Sequence, residues 1–135
     1  MPDSNFLEAL NKDFKNKLRL LNEFSAVGIN WFRLKRLRQL SGLGIKHTSF
    51  LGKKFKFREG NEFLHAVKEV FLEEPYKLTL QHQPYIIDCG ANIGLSILYL
   101  KQQYPEAEIL AFEPDNTNFE ILKENIETYK LKKVE

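Results

Sequence analysis

Apolar residues recur along the start of the chain with a helical period. Leu7, Leu10, Phe14, Leu18 and Leu21 share one stripe, and Gly28 falls where a left-handed residue ends a helix. A second helix is expected from Asn30 to Leu40, with Trp31, Leu34 and Leu37 on one side, Arg33, Lys35 and Arg36 turned towards the others, and Gly42 and Gly44 stopping it. A strand from Lys53 to Arg58 follows. Asn61 to Leu72 then sets Phe63, Ala66, Val67, Val70 and Phe71 at the spacing of a helix that buries one face. Tyr76 to Leu80 is a short segment, and Gln81 to Pro84 reads as the loop before the first core strand.

Beyond that loop the pattern changes to short β-rich runs separated by helices. Ile86 and Ile87 lead into Asp88, and Leu95 to Tyr104 is apolar on several sides, as suits a crossover helix lying on a sheet. Pro105 stops it. Ile109 to Phe112 is a second strand, and Asn116 to Tyr129 is a second crossover helix with Phe119, Leu122, Ile126 and Tyr129 on one face. Lys132 to Glu135 begins a third strand. Strand, helix, strand, helix, strand is the signature of an α/β fold with a parallel sheet of Rossmann-like order.

Composition adds a division rather than a class. Residues 1 to 70 carry 14 Lys and Arg against 7 acids, whereas residues 71 to 135 carry 6 against 11. We therefore expect a basic, helical lead-in with one strand over residues 1–60 and an acidic α/β part over residues 61–135. Clustered Lys and Arg beside Trp31 suit an anionic membrane surface or nucleic acid, but the stretch is short and no nucleic-acid module surrounds it, so a solvated face is expected. No nucleic-acid partner is expected. No run approaches the roughly 20 apolar residues of a membrane span. The start, MPDSNFLEAL, lacks the basic region and apolar run of a signal peptide, and a cytoplasmic site is expected. Cys89, the single cysteine, reads as a buried strand thiol, and His47, His65 and His82 show no metal-ligand pattern.

The candidate chemistry lies between Ile86 and Asp115. Asp88 runs into Gly90-Ala91-Asn92-Ile93-Gly94, the layout of a tight strand-to-helix loop that lets a ligand approach bare backbone. Glu113 ends the next strand, where an acid in a doubly wound sheet holds ribose hydroxyls. One helix and one turn separate Asp88 from Glu113, so both fall at carboxyl ends of neighbouring parallel strands, and a right-handed crossover leaves them lining a common crevice. A dinucleotide loop wants a middle glycine so that backbone can crowd a pyrophosphate. Here that position is Asn92, and Leu95 follows Gly94 with no third glycine in register, which disfavours NAD. S-adenosylmethionine carries no phosphate. Its ribose diol suits Glu113, its cationic end suits Asp88, and its carboxylate suits the loop amides. Asp115 reads equally as a helix cap or a cofactor contact, and Asn92 as a possible cap of the helix after it.

IIDCGANIGLS, followed by YPEAEILAFEPDNTNFEILKENI, resembles the first half of an FkbM-type S-adenosylmethionine-dependent methyltransferase. The likeness is specific from about Phe63 onward, where FLHAVKEVFLEEPYKL resembles the family's entry helix. It implies Asp88, Gly90, Asn92 and Gly94 at the cofactor loop, Glu113 at the ribose and Pro114-Asp115 at the turn beside the adenine. It further implies O-methylation of a sugar or other metabolite hydroxyl, so that a small molecule or glycan would be the acceptor. A complete sheet of this group needs about 200 residues, so these residues are expected to be a fragment, inactive alone, with no catalytic base assigned. An open sheet edge near Ile109 to Phe112 is expected to invite self-association. Two other readings stand beside this one: an NAD-type nucleotide-binding domain, and a non-catalytic chain whose N-terminal helices bind a partner.

Overall fold

The computed structural model describes residues 4–80 and 83–135, and among the first thirteen residues the side chain of Lys12 alone. The side chains of Leu7 and Leu10 in the expected stripe, and residues Gln81 and His82 altogether, therefore lie outside what is described. Helix α1 spans Ser4–Ala26 and helix α2 spans Trp31–Gln39, joined through Gly28, whose φ of 79° is the left-handed turn expected of it. Asn30 caps α2 by accepting the amide of Arg33 at 3.0 Å. The burial of α1 keeps Leu21 of the expected stripe and departs from it at Phe14 and Leu18. Among the described side chains of α1, Phe14 and Leu18 are exposed, and Leu20, Leu21 and Phe24 pack against the core. Trp31 is likewise 51% exposed, leaving Leu34 and Leu37 as the buried pair of α2. Arg33, expected towards solvent, donates to Gly28 O at 2.6 Å and Ser49 O at 3.1 Å and so ties the helix to the first strand.

That strand, β1 (Lys46–Phe50), pairs antiparallel with β2 (Lys53–Phe57) in a hairpin that places Phe50 opposite Lys53. Both turn residues, Leu51 and Gly52, have positive φ, which matches the twist of a tight hairpin. His47 thus lies on a strand. Helix α3 (Gly60–Val67) continues into a π-helical turn, Lys68–Leu72. Phe50, Phe55 and Phe57 from the hairpin close on Phe63 of α3, with Phe57 and Phe63 stacked at 4.8 Å and Phe50 edge-on to Phe63 at 5.6 Å. Phe50 also meets Phe71 at 5.2 Å, and Phe71 meets Tyr99 at 5.4 Å. One aromatic chain therefore runs from the hairpin into the α/β part.

In the α/β part, β3 (Tyr85–Cys89) and β4 (Glu108–Phe112) are parallel, with Asp88 opposite Ala111 and Cys89 opposite Phe112. They are joined by α4 (Leu95–Gln103), of which Leu95 to Lys101 are all buried. Helix α5 (Asn116–Tyr129) has the expected bounds. After it Val134 pairs parallel with Ile109, while Lys133 O accepts Ile109 N at 2.9 Å and Glu135 O accepts Ala111 N at 2.7 Å. The 133–135 segment therefore covers the outer side of β4 from Ile109 to Ala111, which is not the open edge expected there. β3, β4 and the bridged 133–135 segment follow one another in chain order and run parallel, which is the start of a Rossmann-like parallel sheet.

Consecutive crossovers that step in one direction lie on one face of a sheet. That face carries Ile86, Asp88, Ile109 and Ala111, and the opposite face presents Tyr85, Ile87, Cys89 and Phe112 to solvent. Cys89 is accordingly exposed, not buried as its apolar strand suggested.

Tyr129 closes the packing of α5 on the hairpin: it is buried, and its hydroxyl donates to Phe50 O. Tyr129→Phe should cost about 1–2 kcal/mol in urea unfolding, since a buried carbonyl loses its donor. Burial also pushes the phenol well above its ordinary pKa. The unfolded chain then releases this proton first, so the stability it contributes is complete below about pH 10 and declines as pH rises further.

Candidate functional site

The segment after β3 can fold tightly because three residues in five adopt positive φ: Gly90 at 97°, Asn92 at 48° and Gly94 at 95°. Gly90 N and Ala91 N both donate to Phe112 O, at 2.8 and 2.9 Å, so the loop is hooked over the end of the neighbouring strand. Gly94 N returns to Ala91 O at 2.9 Å and closes the loop on itself. A Cβ built on Gly90 would meet nothing within 4 Å, so the backbone there faces open space.

Glu113 follows β4 and is gripped by backbone on both oxygens. Oε2 accepts Asn92 N at 2.8 Å, and Oε1 accepts Asp115 N at 2.9 Å. A carboxylate oxygen accepts more than one hydrogen bond, so each keeps capacity for a further donor. The acid is thus oriented before any ligand arrives, and its remaining acceptors suit a pair of vicinal hydroxyls. Asp88, at the end of β3, accepts the hydroxyl of Ser96 at 2.6 Å. Ser96 lies in the first turn of α4 and is buried. No local motif marks Ser96; its one signal in the sequence is a hydroxyl two residues after Gly94, placed to meet the acid that precedes the loop.

The other expected residues divide. Asp115 is the N-cap of α5, accepting Asn118 N at 2.8 Å, with Arg58 Nη1 at 3.8 Å from the same oxygen. It thereby sets the turn that presents its own amide to Glu113. Asn92 does not cap α4: the cap position is Gly94, and Asn92 is committed through its backbone amide to Glu113. The structure therefore gathers Asp88, the Gly90–Gly94 loop and Glu113 at one edge of the sheet. Asp115 stands beside them as the cap of α5.

An apolar cavity of about 590 Å³ between α5 and the 131–135 segment holds none of these residues. Among the described residues no group of three His, Cys, Asp or Glu is placed to hold a metal ion, and no helix is long and apolar enough to cross a membrane.

No known family pattern matches this chain. Curated proteins do. The chain is 47% identical over 60 residues to Methyltransferase sdnD of Sordaria araneosa, a match covering 44% of this chain and 23% of that protein. It is 37% identical over 75 residues to Methyltransferase 1 of Beauveria bassiana, covering 55% of this chain and 29% of that protein. The chain thus spans less than a third of either relative. Among solved structures, the N-terminal domain of EvdMO1 with SAH bound is 22% identical, with a TM-score of 0.41, over 77% of this chain and 42% of that one. Both curated relatives named here are methyltransferases, and it is to that family that this chain is similar.

Proposed function

We propose that this chain carries the cofactor half-site of an S-adenosylmethionine-dependent methyltransferase of FkbM type, acting on a hydroxyl of a sugar or other metabolite. The observation that carries the reading is Glu113, held by two amides at the carboxyl edge of the sheet next to a glycine loop. The resemblance of the IIDCGANIG and AFEPD segments, and the names of the two curated relatives, support it. S-adenosylmethionine supplies an electrophilic methyl group. Glu113 accepts the ribose hydroxyls, the bare backbone at Gly90 lets the amino-acid end come close, and Asp88, fixed by Ser96, favours its positive charge. Asn92, where a dinucleotide loop has glycine, works against a pyrophosphate.

Methyl transfer to oxygen is an in-line displacement in which positioning and removal of one proton supply most of the catalysis. The described residues do the positioning of the donor. No side chain among them is assigned as the base, and the 135-residue chain is proposed to be inactive alone.

Calorimetric titration with S-adenosylhomocysteine should show one site, and Glu113→Gln should weaken it by about 10- to 100-fold, the range expected for hydrogen bonds to a charged group. Heat with NADH and none with S-adenosylhomocysteine would sink the reading.

A further inference from the structure

We propose that Asn125, in the middle of α5, is a positioning residue that couples the Gly90–Gly94 loop to the N-terminal hairpin. The inference rests on the cofactor reading of that loop. Asn125 is 3% exposed, and its amide is used on both sides. Its Oδ1 accepts Lys56 N at 2.8 Å, while Nδ2 donates to Lys56 O at 3.0 Å and to Ile93 O at 2.9 Å. Towards β2 the side chain acts as a neighbouring strand would, satisfying the donor and acceptor of one edge residue. Towards the loop it grips a single carbonyl.

The place of that carbonyl gives the contact its meaning. Ile93 lies between Asn92, whose amide orients Glu113, and Gly94, which starts α4. The Ile93–Gly94 peptide also carries Gly94 N, which donates to Ala91 O, and Ala91 shares its peptide with the Asn92 amide, so a shift at Ile93 O is passed through this closed turn to the amide that aims the acid. The hairpin end is anchored independently, since Lys56 Nζ bonds Glu124 and Lys53 Nζ bonds Tyr129 O at 3.1 Å. The loop is thus referenced to β2 through one side chain, and the lead-in becomes part of the cofactor site without touching the ligand. No other side-chain type of this size offers two donors and an acceptor from one planar group. Aspartate keeps the acceptor and loses both donors, and leucine loses all three.

The test is hydrogen exchange of the 135-residue chain, with and without saturating S-adenosylhomocysteine. Strand alternation turns the Phe55 amide towards β1 and the Lys56 amide towards Asn125. Ligand should slow Lys56 together with Gly94, about tenfold more than it slows Phe55. Equal slowing of Lys56 and Phe55 would overturn the coupling. In Asn125→Asp the selective effect should vanish. Affinity should fall about tenfold at pH 8 and recover in part towards pH 5, because burial against two carbonyls favours the protonated carboxyl, whose single O–H can donate again. A folded variant that binds as the wild type does at pH 8 would also overturn it. If the wild type binds no S-adenosylhomocysteine, the cofactor reading fails. The coupling is then judged by Gly94 exchange alone, which Asn125→Asp should accelerate and which would refute it if unchanged. Should that variant not fold, the wild-type exchange pattern decides.

Discussion

Gly60→Ala should destabilise the protein by about 3 kcal/mol or more, lowering its melting temperature by roughly 10 °C or more. Gly60 opens α3 where α3 crosses the end of α2, and its amide donates to Leu40 O at 2.9 Å. A Cβ there would stand 1.8 Å from Leu37 O, 2.8 Å from Leu37 C and 3.1 Å from Leu40 O. All three are backbone atoms, so no side chain can swing aside. Relief requires parting the helices, and with them Leu34 and Leu37 from Phe63 and Leu64, all buried. The φ of Gly60 is not positive, so alanine gains its better helix propensity, but that is worth only about 1 kcal/mol. Overlap wins. Thermal unfolding followed by circular dichroism decides it: a variant melting within a degree or two of wild type would mean that the helices do not cross this closely.

Gly94→Ala should lose about 2–3 kcal/mol of stability and weaken S-adenosylhomocysteine binding by at least about tenfold. Two causes act together. The φ of 95° is unfavourable for any residue with a Cβ, and that Cβ would lie 2.8 Å from Leu122 Cδ1. Leu122 is a side chain and can rotate, but it is 1% exposed, so its movement disturbs the packing of α5. The strain falls on the residue whose amide closes the loop on Ala91 O. Asn92→Gly is the control, because its φ of 48° suits glycine, and it should leave stability nearly unchanged. Urea unfolding and calorimetry on the same samples separate the two effects. An alanine variant with wild-type affinity would show that the loop's shape does not govern binding.

The sequence was most legible where one signal sufficed. Asn116–Tyr129 came out with the observed bounds because Asp115 caps it and the apolar residues keep period. The two core strands and the loop between them follow from β-branched runs around glycines. The first hairpin strand was missed because, in Lys46–Phe50, Phe50 alone is buried and the Leu51-Gly52 turn lacks the usual Asn-Gly signal.

Trp31 was misplaced for a geometric reason. Positions three apart on a helix differ by about 60°, so residues 31 and 37 differ by about 120° and cannot both be central to a narrow buried arc. Cys89 was misjudged because an apolar strand does not say which of its faces is covered. Ser96 and Asn125 act by bonding residues 8, 32 and 69 positions away, and no local pattern reports such pairs. Of the site, the acids and glycines could be read from spacing, but the amide grip on Glu113 required the fold.

The bare sheet face has a practical consequence at its one sulfur. A thiol-directed dye can attach at a single position, one residue before Gly90 and one after Asp88, with no competing cysteine to remove. Because Cys89 points away from the helices, the label does not need to displace packed side chains. Any ligand that orders the loop alters the dye's surroundings, so the chain carries its own attachment point for an optical reporter of occupancy.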